Sequence, residues 1–153
     1  MANTFTEIYI HHVSAVKYRT SLISSDIESR VYAYIAEIIK ENDQTLLEIN
    51  GMPDHIHIVI RLRGSMAISK LIQLIKGSTS KFINDNKLTK SKFAWQRGGG
   101  TFSISPIEIE PVRHYVRGQK EHHKKKSFRE EYIRFLENNS INVDPKYLPE
   151  FFD

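Results

Sequence analysis

The chain has 153 residues, of which 40% are hydrophobic and 26% charged, a composition typical of one soluble globular domain. It contains no cysteine, which excludes disulfides and thiolate metal sites, so a metal would need histidine, carboxylate or amide ligands. The formal net charge of +4 is compatible with nucleic-acid binding without indicating it. Because the sequence shows neither a signal-peptide pattern nor an apolar run of roughly 20 residues, we expect a cytoplasmic protein without a membrane span.

The first part of the chain alternates strand and helix patterns. Residues 4–16 are rich in β-branched and aromatic types, which predicts a long first strand. Ser25 and Glu28 form a capping-box pattern at the start of an amphipathic helix. The segments QTLLEI and HIHIVIRL then predict two strands, and the Asn50-Gly51 pair with Pro53 between them predicts the turn of a hairpin.

The second part of the chain predicts another helix, another strand and two further helices. Isoleucines at helical spacing predict a helix over residues 66–84, and the segment FAWQRGGGTFSI predicts a strand next to a glycine loop. A helix follows at about 106–126, with a kink or restart expected near Pro111. The last predicted helix, at about 127–139, starts with the Ser-x-x-Glu pattern of Ser127 and Glu130.

The resulting order β-α-β-β-α-β is that of the α+β ferredoxin-like (RRM-like) fold, an antiparallel sheet with helices on one face, here with added C-terminal helices. The sequence has no repeat, low-complexity tract or linker. We therefore expect a single domain over residues 1–153, with the sheet and its first two helices at about 4–104.

Two histidines interrupt the apolar strand HIHIVIRL. Because strand side chains alternate, His55 and His57 share one face, while the isoleucines between and after them share the other. Two imidazoles at this spacing can converge on one metal ion, although two ligands alone do not hold a catalytic metal. The alternative is that both histidines only line an exposed face of the sheet.

A tyrosine and a glutamine in the 106–126 helix complete the candidate site. Tyr115 and Gln119 are four residues apart, so a helix places them on one face. A tyrosine hydroxyl among cations can attack a phosphodiester, and we expect the cations to lower its pKa. An amide oxygen suits a hard cation such as Mg²⁺ or Mn²⁺. The candidate DNA-binding residues around them are Arg113, Arg117, Lys120, Lys124, Lys125 and Lys126.

Five stretches carry a family resemblance in chain order: YIHHVSAVKYR, NGMPDHIHIVI, FAWQRG with TFSIS, YVRGQKEHH and SFREEYIRFL. With them the chain resembles the single-tyrosine HUH-class transposases of small bacterial insertion sequences, the IS200-like enzymes, and their REP-associated relatives. The resemblance implies a metal held by His55, His57 and Gln119, and Tyr115 as the nucleophile. Three glycines, Gly98 to Gly100, stand where an aromatic residue is expected in the loop, and Gly118 with Pro111 should weaken the tyrosine-bearing helix.

The resemblance further implies a DNA transposase that cleaves and rejoins single-stranded DNA hairpins at element ends, through a 5′-phosphotyrosine intermediate and with Mg²⁺ or Mn²⁺. It implies a bacterial homodimer with composite active sites, in which the histidines of one subunit face the tyrosine of the other. The alternatives are an RRM-like module that binds single-stranded nucleic acid without chemistry, a small metallohydrolase, and a domesticated or inactive transposase. We expect Asp54 to point to the opposite face of the strand from His55. We also expect the adjacent His122 and His123 to be surface residues.

Overall fold

The computed structural model describes residues 5–141. Within this range the chain forms four strands, five helices and two short 3-10 turns. The strands are β1 (Ile8–Ala15), β2 (Thr45–Met52), β3 (His55–Leu62) and β4 (Gly100–Ile104). The helices are α1 (Ser25–Glu41), α2 (Ile68–Asp85), α3 (Ile109–Arg117), α4 (Gln119–His122) and α5 (Phe128–Asn138).

The four strands form one antiparallel sheet in the order β2-β3-β1-β4. Helices α1 and α2 provide the two crossovers of the β-α-β-β-α-β order, and α3, α4 and α5 follow the last strand. The predicted α+β ferredoxin-like fold with added C-terminal helices is confirmed. Its order of strands places β3 in the interior of the sheet, between β2 and β1.

The two faces of β3 are covered by different helices. Ile56, Ile58 and Ile60 are buried in the main hydrophobic core, together with apolar residues of α1 and α2. His55 and His57 lie on the opposite face, where α3, α4 and α5 pack. The alternation predicted for this strand is therefore confirmed, and it directs both histidines toward the added helices.

The hairpin between β2 and β3 turns at the predicted Pro53, and Asn50-Gly51 belongs to the strand before it. Strand β2 runs through Asn50-Gly51, and the turn is formed by Pro53-Asp54. The glycine is explained by a close approach of two backbones, since a Cβ atom at Gly51 would lie 2.2 Å from the carbonyl oxygen of His55. Gly51 thus allows β2 to pair tightly beside the first histidine of β3.

The tyrosine-bearing segment is divided, where the sequence predicted one helix over 106–126. A 3-10 turn at Pro106–Glu108 leads into α3, which ends before Gly118, and α4 begins directly after it. Glycine is a poor helix former, which explains the break at this position. The restart expected near Pro111 is also found, since the 3-10 turn ends at Glu108 and α3 begins at Ile109. Pro111 is then the third residue of α3, where a backbone N–H has no partner within the helix.

The glycine loop before β4 is held by one lysine. Gly98 and Gly99 have φ values of 79° and 140°, which residues with a Cβ rarely adopt. The Nζ atom of Lys76 in α2 donates hydrogen bonds of 2.8 Å to the carbonyl oxygens of Gln96 and Gly98.

None of the helices between residues 5 and 141 has the length and hydropathy of a membrane span.

The close approach at Gly51 predicts the sign of two glycine substitutions. Gly51→Ala should lower the free energy of unfolding by about 1–3 kcal/mol, because the methyl group collides with backbone atoms that cannot move aside. Gly77→Ala is the matched control, since nothing lies within 4 Å of its Cβ position in α2, and it should raise stability by about 1 kcal/mol. Urea unfolding at neutral pH measures both changes. Equal effects of the two substitutions would contradict the close approach.

Candidate active site and metal centre

Both histidines of β3 are buried, and each has one ring nitrogen held by a neighbouring side chain. Nδ1 of His55 lies 2.8 Å from Oδ1 of Asp54, and Nδ1 of His57 lies 2.8 Å from Nε2 of His11 in β1. Their Nε2 atoms point toward the carboxylate of Glu131 in α5, at 3.4 Å from His55 and 2.8 Å from His57. This is the arrangement of metal-binding histidines, in which a hydrogen bond at one nitrogen orients the other.

Asp54 has the opposite role to the one predicted for it. It lies in the turn before β3 and was expected to point away from His55, but its carboxylate contacts the imidazole ring. Arg19 holds the other oxygen, with Nε and Nη2 at 3.0 and 2.8 Å from Oδ2. Burial acts to raise the pKa of Asp54, but the hydrogen bonds from His55 and Arg19 outweigh it and lower the pKa to about 2. A turn residue is free of the strict alternation of a strand, which explains the error.

Glu131 lies at the centre of the cluster. Burial acts to raise the pKa of its carboxyl group, but the surrounding imidazoles hold the pKa well below its usual range. The carboxylate is thus ionised and fully partnered, as a buried charge must be. Its contacts are Nε2 of His57 at 2.8 Å, Nε2 of His55 at 3.4 Å, Nε2 of His123 at 3.3 Å, Nε2 of Gln119 at 2.8 Å, Nε2 of His122 at 3.4 Å and the hydroxyl of Tyr115.

The structure brings Tyr115 and Gln119 to the histidines of the same chain. Gln119 is fully buried, with its Oε1 atom 3.2 Å from Nε2 of His55 and its amide group donating to Glu131. The ring centroids of Tyr115 and His57 are 6.0 Å apart, and the tyrosine hydroxyl donates to Glu131. Tyr115 lies in α3 and Gln119 in α4, on either side of the break at Gly118. Both side chains nevertheless donate a hydrogen bond to the carboxylate of Glu131.

The pKa of Tyr115 is opposite in direction to the one expected. Cations were predicted to lower it, but burial and the negative charge of Glu131 raise it well above the ordinary value for tyrosine. With its pKa raised in this way, the hydroxyl keeps its proton and serves as a hydrogen-bond donor.

The prediction that His122 and His123 are surface residues is wrong. Their ring nitrogens lie 3.4 and 3.3 Å from the two oxygens of Glu131, and the side chain of His123 is only 5% exposed. His122 also lies 3.2 Å from the hydroxyl of Tyr115. The two rings do diverge, with an angle of 89° between their planes. They nevertheless reach the same carboxylate, because α5 lies across the end of α4.

Comparisons with known proteins identify the family of the chain. A sequence model of the family described as "Transposase IS200 like" matches residues 4–119, about three-quarters of the chain. The chain belongs to the IS200-like transposase family.

Individual relatives of this transposase are distant. The ISDra2 transposase TnpA of Deinococcus radiodurans is 21% identical over 75 residues, which cover 49% of this chain and 54% of that protein, so the match spans about half of the relative's length. A crystal structure described as a candidate transposase from Deinococcus radiodurans R1 superimposes with a TM-score of 0.63 at 16% identity, covering 76% of this chain and 94% of that one. A REP-associated tyrosine transposase bound to a REP hairpin gives a TM-score of 0.62 at 13% identity, covering 79% and 72%. These two structures support the fold.

Part of the site lies beyond the region that the family model matches. The match ends at Gln119, whereas His123 and Glu131 follow it in α4–α5 and the segment between them. The sequence held one signal for Glu131. It lies on the apolar face of α5, between Phe128 and Phe135, and a carboxylate at such a position has to find a buried partner.

The donor atoms of the cluster fit a divalent metal. One nitrogen or oxygen from each of His55, His57, His123 and Glu131 lies within 4.8 Å of all the others. Ligands around an ion at about 2.1 Å are separated by up to roughly twice that distance, so small side-chain adjustments would be enough. The transposase therefore has a cluster of histidines and a carboxylate that is able to hold a divalent metal.

Most of the predicted DNA-binding cations are paired with carboxylates. Two of the six candidates, Lys125 and Lys126, are exposed and have no ion pair among the described residues. The pairs formed by the others are Arg113 with Glu48 and Glu110 at 3.4 and 3.3 Å, Arg117 with Glu48 at 2.9 Å, Lys120 with Glu28 at 2.8 Å, and Lys124 with Glu121 at 3.0 Å.

The carboxylate behind His55 predicts a loss of metal affinity. In Asp54→Asn the amide oxygen can still accept from Nδ1 of His55 but carries no charge to raise the basicity of the imidazole, so the affinity for Mn²⁺ should fall about 10- to 100-fold. Isothermal titration calorimetry measures the change. Asp85→Asn is the control, because Asp85 pairs with Lys81 on the exposed face of α2 and should bind Mn²⁺ as the wild type does. Unchanged affinity in Asp54→Asn would remove His55 from the metal centre.

Proposed function

We propose that this transposase cleaves and rejoins single-stranded DNA by attack of Tyr115 on a phosphodiester, with a divalent metal held beside it. The observation that carries the proposal is the convergence of the Tyr115 hydroxyl and the Nε2 atoms of His55 and His57 on one carboxylate, that of Glu131. This arrangement places a nucleophile and candidate metal ligands around one position, where a single phosphate group could meet both.

Tyr115 would form a bond from its phenolic oxygen to phosphorus as the bond from phosphorus to the 3′-oxygen breaks. The products are a 5′-phosphotyrosine and a free 3′-OH, and the reverse attack by a 3′-OH rejoins the strand. Because one phosphodiester is exchanged for another, the reaction needs no nucleoside triphosphate. Glu131 orients the tyrosine, since its Oε2 atom accepts the hydroxyl hydrogen. Nε2 of His122 also lies 3.2 Å from the tyrosine oxygen.

We propose His55, His57 and Glu131 as metal ligands, with His123 and the amide oxygen of Gln119 as further candidates. When bound, the metal polarises the phosphate and offsets the negative charge that develops in the transition state. Of the two expected ions, the imidazole-rich donor set favours Mn²⁺ over Mg²⁺, because Mg²⁺ prefers oxygen ligands. The Asp54 and His11 contacts keep the two imidazoles oriented before any ion arrives.

The proposed substrate is a DNA hairpin with a single-stranded flank, as found at the ends of a mobile element. Support comes from the REP-associated structural relative, which is bound to a REP hairpin, and from the basic segment beside Tyr115. Residues Arg113, Arg117, Lys120, Lys124, Lys125 and Lys126 remain the candidates for phosphate contacts, and the four paired ones would have to exchange a carboxylate for a phosphate. As an enzyme acting on chromosomal DNA, the protein would work in the bacterial cytoplasm, as a single domain.

The expected homodimer with composite sites would require the described chains to exchange helices. The described chain assembles Tyr115 and both histidines by itself. A composite site would therefore require α3 to α5 to exchange between two subunits, with the segment between β4 and α3 as the connection.

Substitution of the tyrosine separates binding from chemistry. Tyr115→Phe should bind a hairpin oligonucleotide as the wild type does but form no covalent adduct, because only the nucleophilic oxygen is lost. The His55→Ala/His57→Ala double variant should lose metal-dependent cleavage. Denaturing gel electrophoresis with end-labelled DNA detects both products. An adduct that persists in Tyr115→Phe would exclude this tyrosine as the nucleophile.

Mixing the same two variants distinguishes the two arrangements of the site. If the sites are composite, a mixed dimer contains one intact pair of histidines and one intact tyrosine that face each other, and cleavage returns on mixing. If each chain builds its own site, as in the described structure, the mixture stays inactive. Circular dichroism of each variant verifies that loss of activity does not reflect unfolding.

A further inference from the structure

The tyrosine is the part of the site that a substrate can reach. His55, His57 and Gln119 have at most 1% of their surface exposed, whereas Tyr115 is only half-buried. It lines a cavity of about 340 Å³, at the lower end of the range of pockets that hold small ligands, about 300–1,000 Å³. A phosphodiester that approaches the hydroxyl of Tyr115 in the described structure would therefore do so through this cavity.

Two cations lie at this cavity. Lys126 comes from the turn before α5 and Arg134 from α5 itself, and both are exposed residues. Within residues 5–141 neither has a carboxylate at ion-pair distance, in contrast to the paired cations of α3 and α4. The only acidic residue in the lining is Glu131, whose charge is already shared among imidazoles.

Helix periodicity directs Arg134 toward the reacting group. Arg134 is three residues after Glu131, so the two lie on one face of α5, and Phe135 on the same face contacts the rings of Tyr115 and His57. Arg134 and Tyr115 line the same cavity, so a phosphodiester that reaches the hydroxyl of Tyr115 passes this arginine.

We propose that Arg134, assisted by Lys126, binds the phosphodiester that Tyr115 attacks. This inference rests on the proposed function and adds to it a phosphate-binding residue that lies outside both the basic segment expected from the sequence and the region that the family model matches. An arginine suits this position, because its planar guanidinium group can hold two phosphate oxygens and leave phosphorus open to in-line attack.

The contact can be measured without chemistry in the Tyr115→Phe background. Fluorescence anisotropy with a labelled oligothymidylate gives the dissociation constant at several salt concentrations. Loss of one phosphate contact in Arg134→Ala should reduce the slope of log K against log salt by about 0.7. Arg134→Lys should restore the slope, since it keeps the charge. A slope equal to that of the parent protein in Arg134→Ala would overturn the proposal.

The contribution to reaction is measured with Tyr115 present. At saturating DNA, Arg134→Ala should form the covalent adduct about 10- to 100-fold more slowly, and Arg134→Lys should recover part of the loss. Arg63→Ala is the control, because Arg63 is exposed and follows the far end of β3, roughly 26 Å along the strand from His55. It should react as the wild type does, and an equal rate in Arg134→Ala would overturn the proposal.

The two measurements separate this inference from the proposed function. If the wild type and Arg63→Ala form the adduct and Arg134→Ala forms it equally fast, tyrosine chemistry stands and Arg134 has no part in it. If no protein forms an adduct but Arg134→Ala still loses salt dependence in the binding assay, the phosphate contact stands and the transposition chemistry fails.

Discussion

A single buried carboxylate connects the parts of this protein that matter for its chemistry. Glu131 is removed from water, and an isolated charge in such a position would be strongly destabilising. Imidazoles from β3 and from the α4–α5 connection, together with an amide and a phenol, compensate for that loss. The same contacts hold α5 against the sheet and keep Tyr115 beside the histidines. Folding of the C-terminal helices and assembly of the site are therefore one event.

The sheet provides the fixed side of this arrangement. Strand β3 is interior, and its alternate residues are anchored in the core below the histidines, so the two imidazoles have little freedom to move. Asp54 and His11 fix the ring orientations from outside the cluster. The helical side is less constrained. Gly118 interrupts the tyrosine-bearing segment, and α5 is joined to it by a short turn, so movement of Tyr115 relative to the two histidines would occur on this side.

Features that depend on residues close together in the sequence were predicted, and features that depend on distant residues were missed. The alternation in HIHIVIRL was enough to place His55 and His57 on one face, and the four-residue spacing was enough to bring Tyr115 and Gln119 together. Glu131 was missed because its partners are up to 76 residues away, in strands and helices whose packing the local pattern does not contain. The direction of the Tyr115 pKa was missed for the same reason, since the nearby cations in sequence were assumed to be unpaired.

We propose that one divalent ion is bound by the histidines of β3 and the carboxylate of α5 in the same chain. A crystal structure of the protein with Mn²⁺, with the ion located by its anomalous scattering, tests this proposal. We predict one ion coordinated by Nε2 of His55, Nε2 of His57 and an oxygen of Glu131, with the Tyr115 hydroxyl beside it. An ion held without Glu131, or histidines of one chain completed only by the helices of another, would contradict it.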